Sequence, residues 1–107
     1  MVFNTGAALL DAVVLAAVSR EEDGTYGYKI TQDVRKAIEV SESTLYPVLR
    51  RLQKDACLEA YNVECGGRNR RYYKITEQGE KQLNLYKQEW KLYSSKISAM
   101  FSGEEIV

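Results

Sequence analysis

Between Leu83 and Met100, large apolar residues recur as Leu83, Tyr86, Trp90, Tyr93, Ile97 and Met100, at steps of 3, 4, 3, 4 and 3. Alternating threes and fours keep one stripe of a helix facing one way for about five turns, which is the pattern of a seam that expects a partner helix. The helix is predicted to begin at the N-cap Thr76, ahead of Glu77 and Gly79, and to run to about Phe101 before Ser102-Gly103 ends it. A chain of 107 residues, 45% of them hydrophobic, supports one modest core, and that core is too small to cover so much aromatic surface. The seam therefore predicts a homodimer, with Leu83, Tyr86, Trp90, Tyr93 and Ile97 at the interface. Two roles stay open for Trp90: interface core alone, or interface core that also lines a ligand pocket. The tail from Gly103 to Val107 is expected to fray.

A second stretch supports the same conclusion. From Ala7 to Val18 the chain is apolar nearly all round, interrupted only by Asp11. A helix of this kind must be covered on more than one side, and a partner subunit is a better cover than the small core alone. Arg20 to Thr25 is charged and reads as a turn at Asp23-Gly24-Thr25, after which Ile30, Val34, Ala37 and Ile38 keep the helical period over Lys29 to Ile38.

A third helix follows within a few residues. Leu45, Val48, Leu49 and Leu52 fall on one side of it, with Thr44, Arg50, Arg51 and Lys54 on or near its other faces. Ser41 and Ser43 are both good N-caps, and Pro47, tolerated in a first turn and costly deeper, favours Ser43. A helix opening Ser-Thr-Leu-Tyr offers backbone amides, hydroxyls and a phenol to phosphates and base edges, although an ordinary amphipathic surface helix with a solvated basic face has the same pattern. Two short helices joined by a tight link follow the helix-turn-helix plan.

After Asp55 the period changes to that of strands. Leu58–Val63 and Arg70–Ile75 each read as a strand, separated by a glycine-bearing turn from Glu64 to Asn69. Of Tyr72 and Tyr73, which face opposite ways, one should be core. Arg68, Arg70 and Arg71 then sit at or beside the hairpin tip, where they can approach a sugar-phosphate backbone or a minor groove; the plainer alternative is a solvated surface hairpin. The fold class is accordingly α+β, mainly α: a winged helix-turn-helix over residues 1–76 with an added long dimerisation helix over 77–107. No internal repeat, low-complexity segment or linker interrupts it.

The fifteen basic and fifteen acidic residues cancel, but they are not evenly spread. Residues 41–74 carry seven basic and four acidic groups, whereas the segments on either side are net negative. A local basic face is sufficient to bind phosphates, with salt-sensitive affinity. The chain has no histidine, which removes the commonest general base and every Ser-His-Asp or Cys-His arrangement. Cys57 and Cys65 make no disulfide framework, and without histidine they make no ordinary zinc site. No metal or cofactor is expected, and an enzyme is the least supported class. The opening residues lack a secretory n-region and no apolar run is long enough to span a membrane, so a cytoplasmic location is expected.

Three blocks carry a family likeness: Tyr26-Gly-Tyr-Lys-Ile30; Ser43-Thr-Leu-Tyr-Pro-Val-Leu-Arg-Arg-Leu52 with Lys54-Asp55; and Gly66-Gly-Arg-Asn-Arg-Arg-Tyr-Tyr-Lys-Ile-Thr-Glu-Gln-Gly79. In this order and spacing they resemble the PadR family of bacterial transcriptional regulators over most of the chain. The resemblance implies a dimeric winged-helix repressor with the third helix in the major groove, the hairpin as wing, and the first and last helices forming the dimer. On that basis Ser43, Thr44 and Tyr46 match the contact block at the start of the recognition helix. Arg50 and Lys54 follow as phosphate contacts or are partly turned away, and Arg68, Arg70 and Arg71 are wing candidates. The single C-terminal helix is similar to that of the compact subfamily, some of whose members bind flat aromatic compounds between subunits; Trp90 stands where their helping aromatic residue would. The acidic stretch before Tyr26 and Cys65-Gly66-Gly67 at the wing tip depart from the family pattern.

The function expected from these features is sequence-specific binding of a palindromic site on double-stranded DNA by a homodimer, released by a small aromatic ligand. Two alternatives are a small-molecule or stress sensor read through the dimer groove and a protein interaction module that uses the scaffold without DNA.

Overall fold

Leu45, Leu49 and Leu52 are each at most 3% exposed and Val48 is 5% exposed, so the apolar side of the third helix forms the floor of the molecule's core. Burying a side chain of this size contributes about 1.5–3 kcal/mol, and it is this face that fixes which way the helix's polar side points. In the computed structural model, which describes residues 6–104, the elements run α1 (Ala7–Ser19), β1 (Thr25–Tyr26), α2 (Gly27–Arg35), α3 (Glu42–Lys54), β2 (Leu58–Cys65), β3 (Arg68–Ile75) and α4 (Glu77–Ser102). Val14, Leu15 and Val18 of α1 and Ile30 and Val34 of α2 meet the α3 leucines with no residual exposure, and Leu58, Tyr73 and Leu83 close the core from the sheet and from α4. This is a winged helix-turn-helix with a long C-terminal helix added.

The sheet is antiparallel in the order β1-β3-β2, with Leu58 opposite Ile75 and Cys65 opposite Arg68. The hairpin is longer than the sequence suggests, because its loop is only Gly66-Gly67, with φ at +57° and +81°. Two consecutive positive φ angles make the tight turn whose twist matches paired strands, and glycine adopts them without strain. The sequence places Thr25 at the end of a turn and Tyr26 in the lead into the next helix; instead Thr25 pairs with Tyr73 and Tyr26 with Tyr72 as the short strand β1. Tyr73 is the core member of the tyrosine pair, 4% exposed, and Tyr72 the half-buried one.

Helix boundaries also shift. α2 starts two residues before the expected Lys29 and ends at Arg35 instead of Ile38. The link to α3 has no glycine; Arg35 donates from Nε to the carbonyl of Val40 at 2.6 Å and so holds the turn. α3 is capped by Ser41, whose oxygen accepts from the amide of Thr44, rather than by Ser43. Pro47 therefore sits in the second turn, where its missing N–H leaves only the carbonyl of the solvent-exposed Ser43 without a helical donor.

Thr76 caps α4 as expected, accepting from the amide of Gly79 at 2.9 Å and donating to the carbonyl of Ala56 at 2.5 Å. Gly103, in the left-handed conformation, ends the helix, with Glu104 N–H bonded to the carbonyl of Ala99. The expected frayed tail is described only as far as Glu104; residues 105–107, like the opening segment 1–5 read for a signal, lie outside the described residues.

Candidate nucleic-acid interface

On the α3 cylinder Ser43, Arg50 and Lys54 lie opposite the buried leucines, and all three are exposed. Thr44 and Arg51 flank this face on one side, Tyr46 and Gln53 on the other. At the helix start Ser41 Oγ lies 2.9 Å from Ser43 Oγ and 3.1 Å from Thr44 Oγ1, a cluster of three hydroxyls at the positive end of the helix dipole. Tyr46 is 40% exposed and leans on the first residue of α2: a Cβ at Gly27 would stand 3.0 Å from the phenol oxygen. Burial, with smaller contributions from the charges of Glu42 and Tyr73, pushes the Tyr46 phenol above its usual value, so at neutral pH it keeps its proton and can donate.

The wing arginines do not act as one group. Along β3 the side chains alternate, so Arg68 and Arg70 share the outer face with Tyr72 while Arg71 shares the inner face with Tyr73. Arg71 donates from Nη2 to Gln53 Oε1 at 3.1 Å, which ties the wing to the exposed edge of α3. Arg70 instead lies over the ring of Tyr26 at 4.3 Å, beside a row of three tyrosines in which Tyr72 is 5.5 Å from Tyr26 and 5.9 Å from Tyr61. Arg68 stands at the tip, opposite Cys65. The structure thus brings Ser43, Thr44, Tyr46, Arg50, Lys54 and Arg71 onto contiguous surface, and sets Arg70 on the far side of the hairpin.

Two residues escaped the sequence reading. Gln53 carries no charge and looks like filler on a polar helix, yet it is the contact between helix and wing. Arg51, grouped with the basic face by its position, is paired with Asp11 of α1 instead. A surface arginine whose partner lies forty residues upstream leaves no local trace in the sequence.

Along α4 the seam separates into two parts. Leu83, expected at a dimer interface, is 5% exposed and belongs to the chain's own core, because α1 packs over the first turns of α4. Tyr86 and Tyr93 are half-buried, Trp90 is 45% exposed with its ring 6.2 Å from that of Tyr93, and Ile97 and Met100 are 39% and 65% exposed. Between α1, the link after α2 and α4 runs an open groove of about 480 Å³, with Val13, Ala16, Ile38, Tyr86 and Trp90 among its walls and Arg20 and Lys87 as its charged residues. Cys57 is buried and Cys65 exposed, and both are free thiols. No helix among the described residues is long and apolar enough to cross a membrane.

The chain resembles known proteins along nearly its whole length. A protein of Streptococcus mutans UA159 has a crystal structure that superposes with a TM-score of 0.85 at 36% identity, covering 100% of this chain and 99% of that one. A PadR-like transcriptional regulator of Bacillus cereus strain ATCC 14579 superposes with a TM-score of 0.81 at 32% identity over 94% and 98% of the two chains. A PadR family transcription regulator of Clostridium difficile R20291 gives 0.75 at 27% identity over 86% and 97%. The family model for PadR-like transcriptional regulators matches residues 14–85, from the core of α1 to the first turns of α4. That span holds α3 and the wing, and the family it matches is one of transcriptional regulators and not of enzymes. The chain belongs to the PadR-like family of transcriptional regulators and is a DNA-binding regulator.

Proposed function

We propose that the protein acts in the cytoplasm as a homodimeric repressor, with residues 1–76 as the reading unit and residues 77–107 as the dimerisation helix. α3 enters the major groove through Ser43, Thr44 and Tyr46, Arg50 and Lys54 hold phosphates, and the wing follows the adjacent backbone through Arg71 and Arg68. The observation that carries this reading is the Arg71–Gln53 hydrogen bond, which makes hairpin and helix one continuous surface with four cations on it or at its end. Two such surfaces related by a two-fold axis call for a palindromic site with half-sites about one helical turn, ~34 Å, apart. Enrichment of duplexes from a random pool tests it: the expected result is an inverted repeat bound by two chains. No enrichment over random duplex at low micromolar protein, or sedimentation as a single chain at that concentration, overturns it.

The groove favours a second element of the same reading, release by a flat aromatic ligand. Its walls are apolar and its charged residues, Arg20 and Lys87, are both cationic, so a ligand with an acidic group suits it better than an aromatic cation. Titration of Trp90 fluorescence with a flat aromatic carboxylate and with a flat aromatic cation checks this: quenching by the carboxylate alone is expected.

A further inference from the structure

Asp11 is 8% exposed and is the one charged residue on α1. Its carboxylate accepts from Nη2 of Arg51, a residue of α3 whose side chain remains 46% exposed. Burying a carboxylate costs several kcal/mol unless it is paired, and apolar replacements of such pairs are often neutral or stabilising, so stability alone is a weak reason for the pair. Its placement offers a better one. Arg51 and Gln53 lie on opposite flanks of the outward face of α3, and each is held by a different element: Arg51 by α1 and Gln53 by the wing. Within the orientation that the buried leucine face fixes, these two flank contacts are placed to trim the roll of α3 about its own axis. Asp11 also lies near enough to α4 that its charge, after burial, pushes up the phenol of Tyr86, a wall of the α1/α4 groove.

We propose that the Asp11–Arg51 pair is a positioning joint for DNA reading: it trims the roll of α3 so that Ser43, Thr44 and Tyr46 meet base edges in register, and Arg51 itself is not a phosphate contact. The inference rests on the reading surface proposed above. A roll error displaces base contacts that need hydrogen-bond geometry, while phosphate contacts made by long, flexible side chains tolerate it. Loss of the joint therefore costs specificity rather than overall affinity.

The test uses the full-length dimer, a duplex that the wild-type protein enriches from a random pool, and a random duplex of the same length. Asp11→Asn, Arg51→Gln and the double variant are compared, with thermal unfolding measured for each. The expected result is a loss of about tenfold in affinity for the enriched duplex in both single variants, the size of one misplaced base contact, with the random duplex bound as before. The double variant is no worse than either single one, and Arg51→Lys recovers part of the loss. The slope of log affinity against log salt is unchanged throughout. A fall of about 0.9 in that slope for Arg51→Gln, equal on both duplexes, is the signature of a phosphate contact and overturns the proposal. An unchanged ratio of enriched to random affinity in Asp11→Asn overturns it as well, whatever happens to the unfolding temperature. Failure of the wild type to enrich any duplex would refute the reading surface itself, a result distinct from either of these.

Discussion

Arg70 and Arg71 are neighbours in sequence with opposite employment: Arg71 reaches Gln53 of α3 at 3.1 Å, and Arg70 lies over the ring of Tyr26 at 4.3 Å on the other face of the same strand. Alternation along β3 is the cause, and it divides the wing into a face joined to α3 and a face that stacks on the three-tyrosine row.

From that division, Arg71→Ala is expected to lower DNA affinity by about tenfold and the salt slope by about 0.9, as removal of one phosphate contact does. Arg70→Ala should leave the slope unchanged and lower stability by about 0.5–1 kcal/mol, the contribution of a partly exposed cation over an aromatic ring. Filter binding across a salt series together with urea unfolding separates the two outcomes.

The cap of α3 distinguishes two serines just as clearly. Ser41 Oγ is the oxygen that accepts from the amide of Thr44, so Ser41→Ala should cost about 1 kcal/mol of unfolding free energy. Ser43→Ala should stay within about 0.5 kcal/mol, since Ser43 is exposed and caps nothing, and its effect should appear in DNA binding instead. Chemical denaturation of both variants checks the difference.

Gly79 is a position where a better helix former should destabilise. A Cβ there would stand 2.1 Å from the carbonyl oxygen of Cys57 and 2.7 Å from Cγ1 of Ile75, and the backbone oxygen cannot step aside without moving the α3–β2 link. Gly79→Ala is expected to lower stability by about 1–3 kcal/mol despite alanine's higher propensity, measured as a fall in Tm.

Acid should act through the clasp on α2. Lys29 donates to Glu21 at 2.8 Å and to Asp33 at 2.9 Å, and the bond from Lys29 holds the Asp33 carboxyl below its ordinary 3.8. A carboxylate depressed by folding adds stability above its unfolded value and loses that stability as pH falls through the folded value. The stability difference between wild type and Asp33→Asn should therefore be full at pH 7 and vanish once the pH is well below 3.8, as read from Tm against pH.

Local rules were sufficient for several features made by neighbours in sequence, although they placed the α3 cap at Ser43 rather than Ser41 and misjudged both ends of α2. The period of Leu45, Val48, Leu49 and Leu52 identified a core face, Thr76 marked a helix start, and Gly66-Gly67 marked a turn, because each depends on residues within a few positions of one another. The larger misses depend on distant partners. Thr25–Tyr26 is too short to have a period and becomes a strand only because Tyr73 and Tyr72 lie beside it. Arg51 looks like any solvated cation until α1 brings Asp11 to it, and Gln53 matters only once the wing folds back. Leu83 falls in register with the rest of its seam, yet α1 takes it for the core. Ser43, Thr44 and Tyr46, close together in the sequence, are all exposed in the first turns of α3, and their part in DNA contact remains the proposal made above.

α4 is 26 residues long, about 39 Å, in a molecule whose extents are 60 × 26 × 21 Å, and past Tyr86 its apolar residues are mostly open to water. The stretch from Trp90 to the end of α4 at Ser102 has little cover from the rest of the chain, and a helix shorter than about 12–15 residues is only marginally stable by itself in water. In dilute solution, then, amides from about Trp90 onward should exchange with solvent far faster than those of α3, and their protection should rise with protein concentration, so that dilution alone becomes a means of melting one end of the chain while the other stays folded.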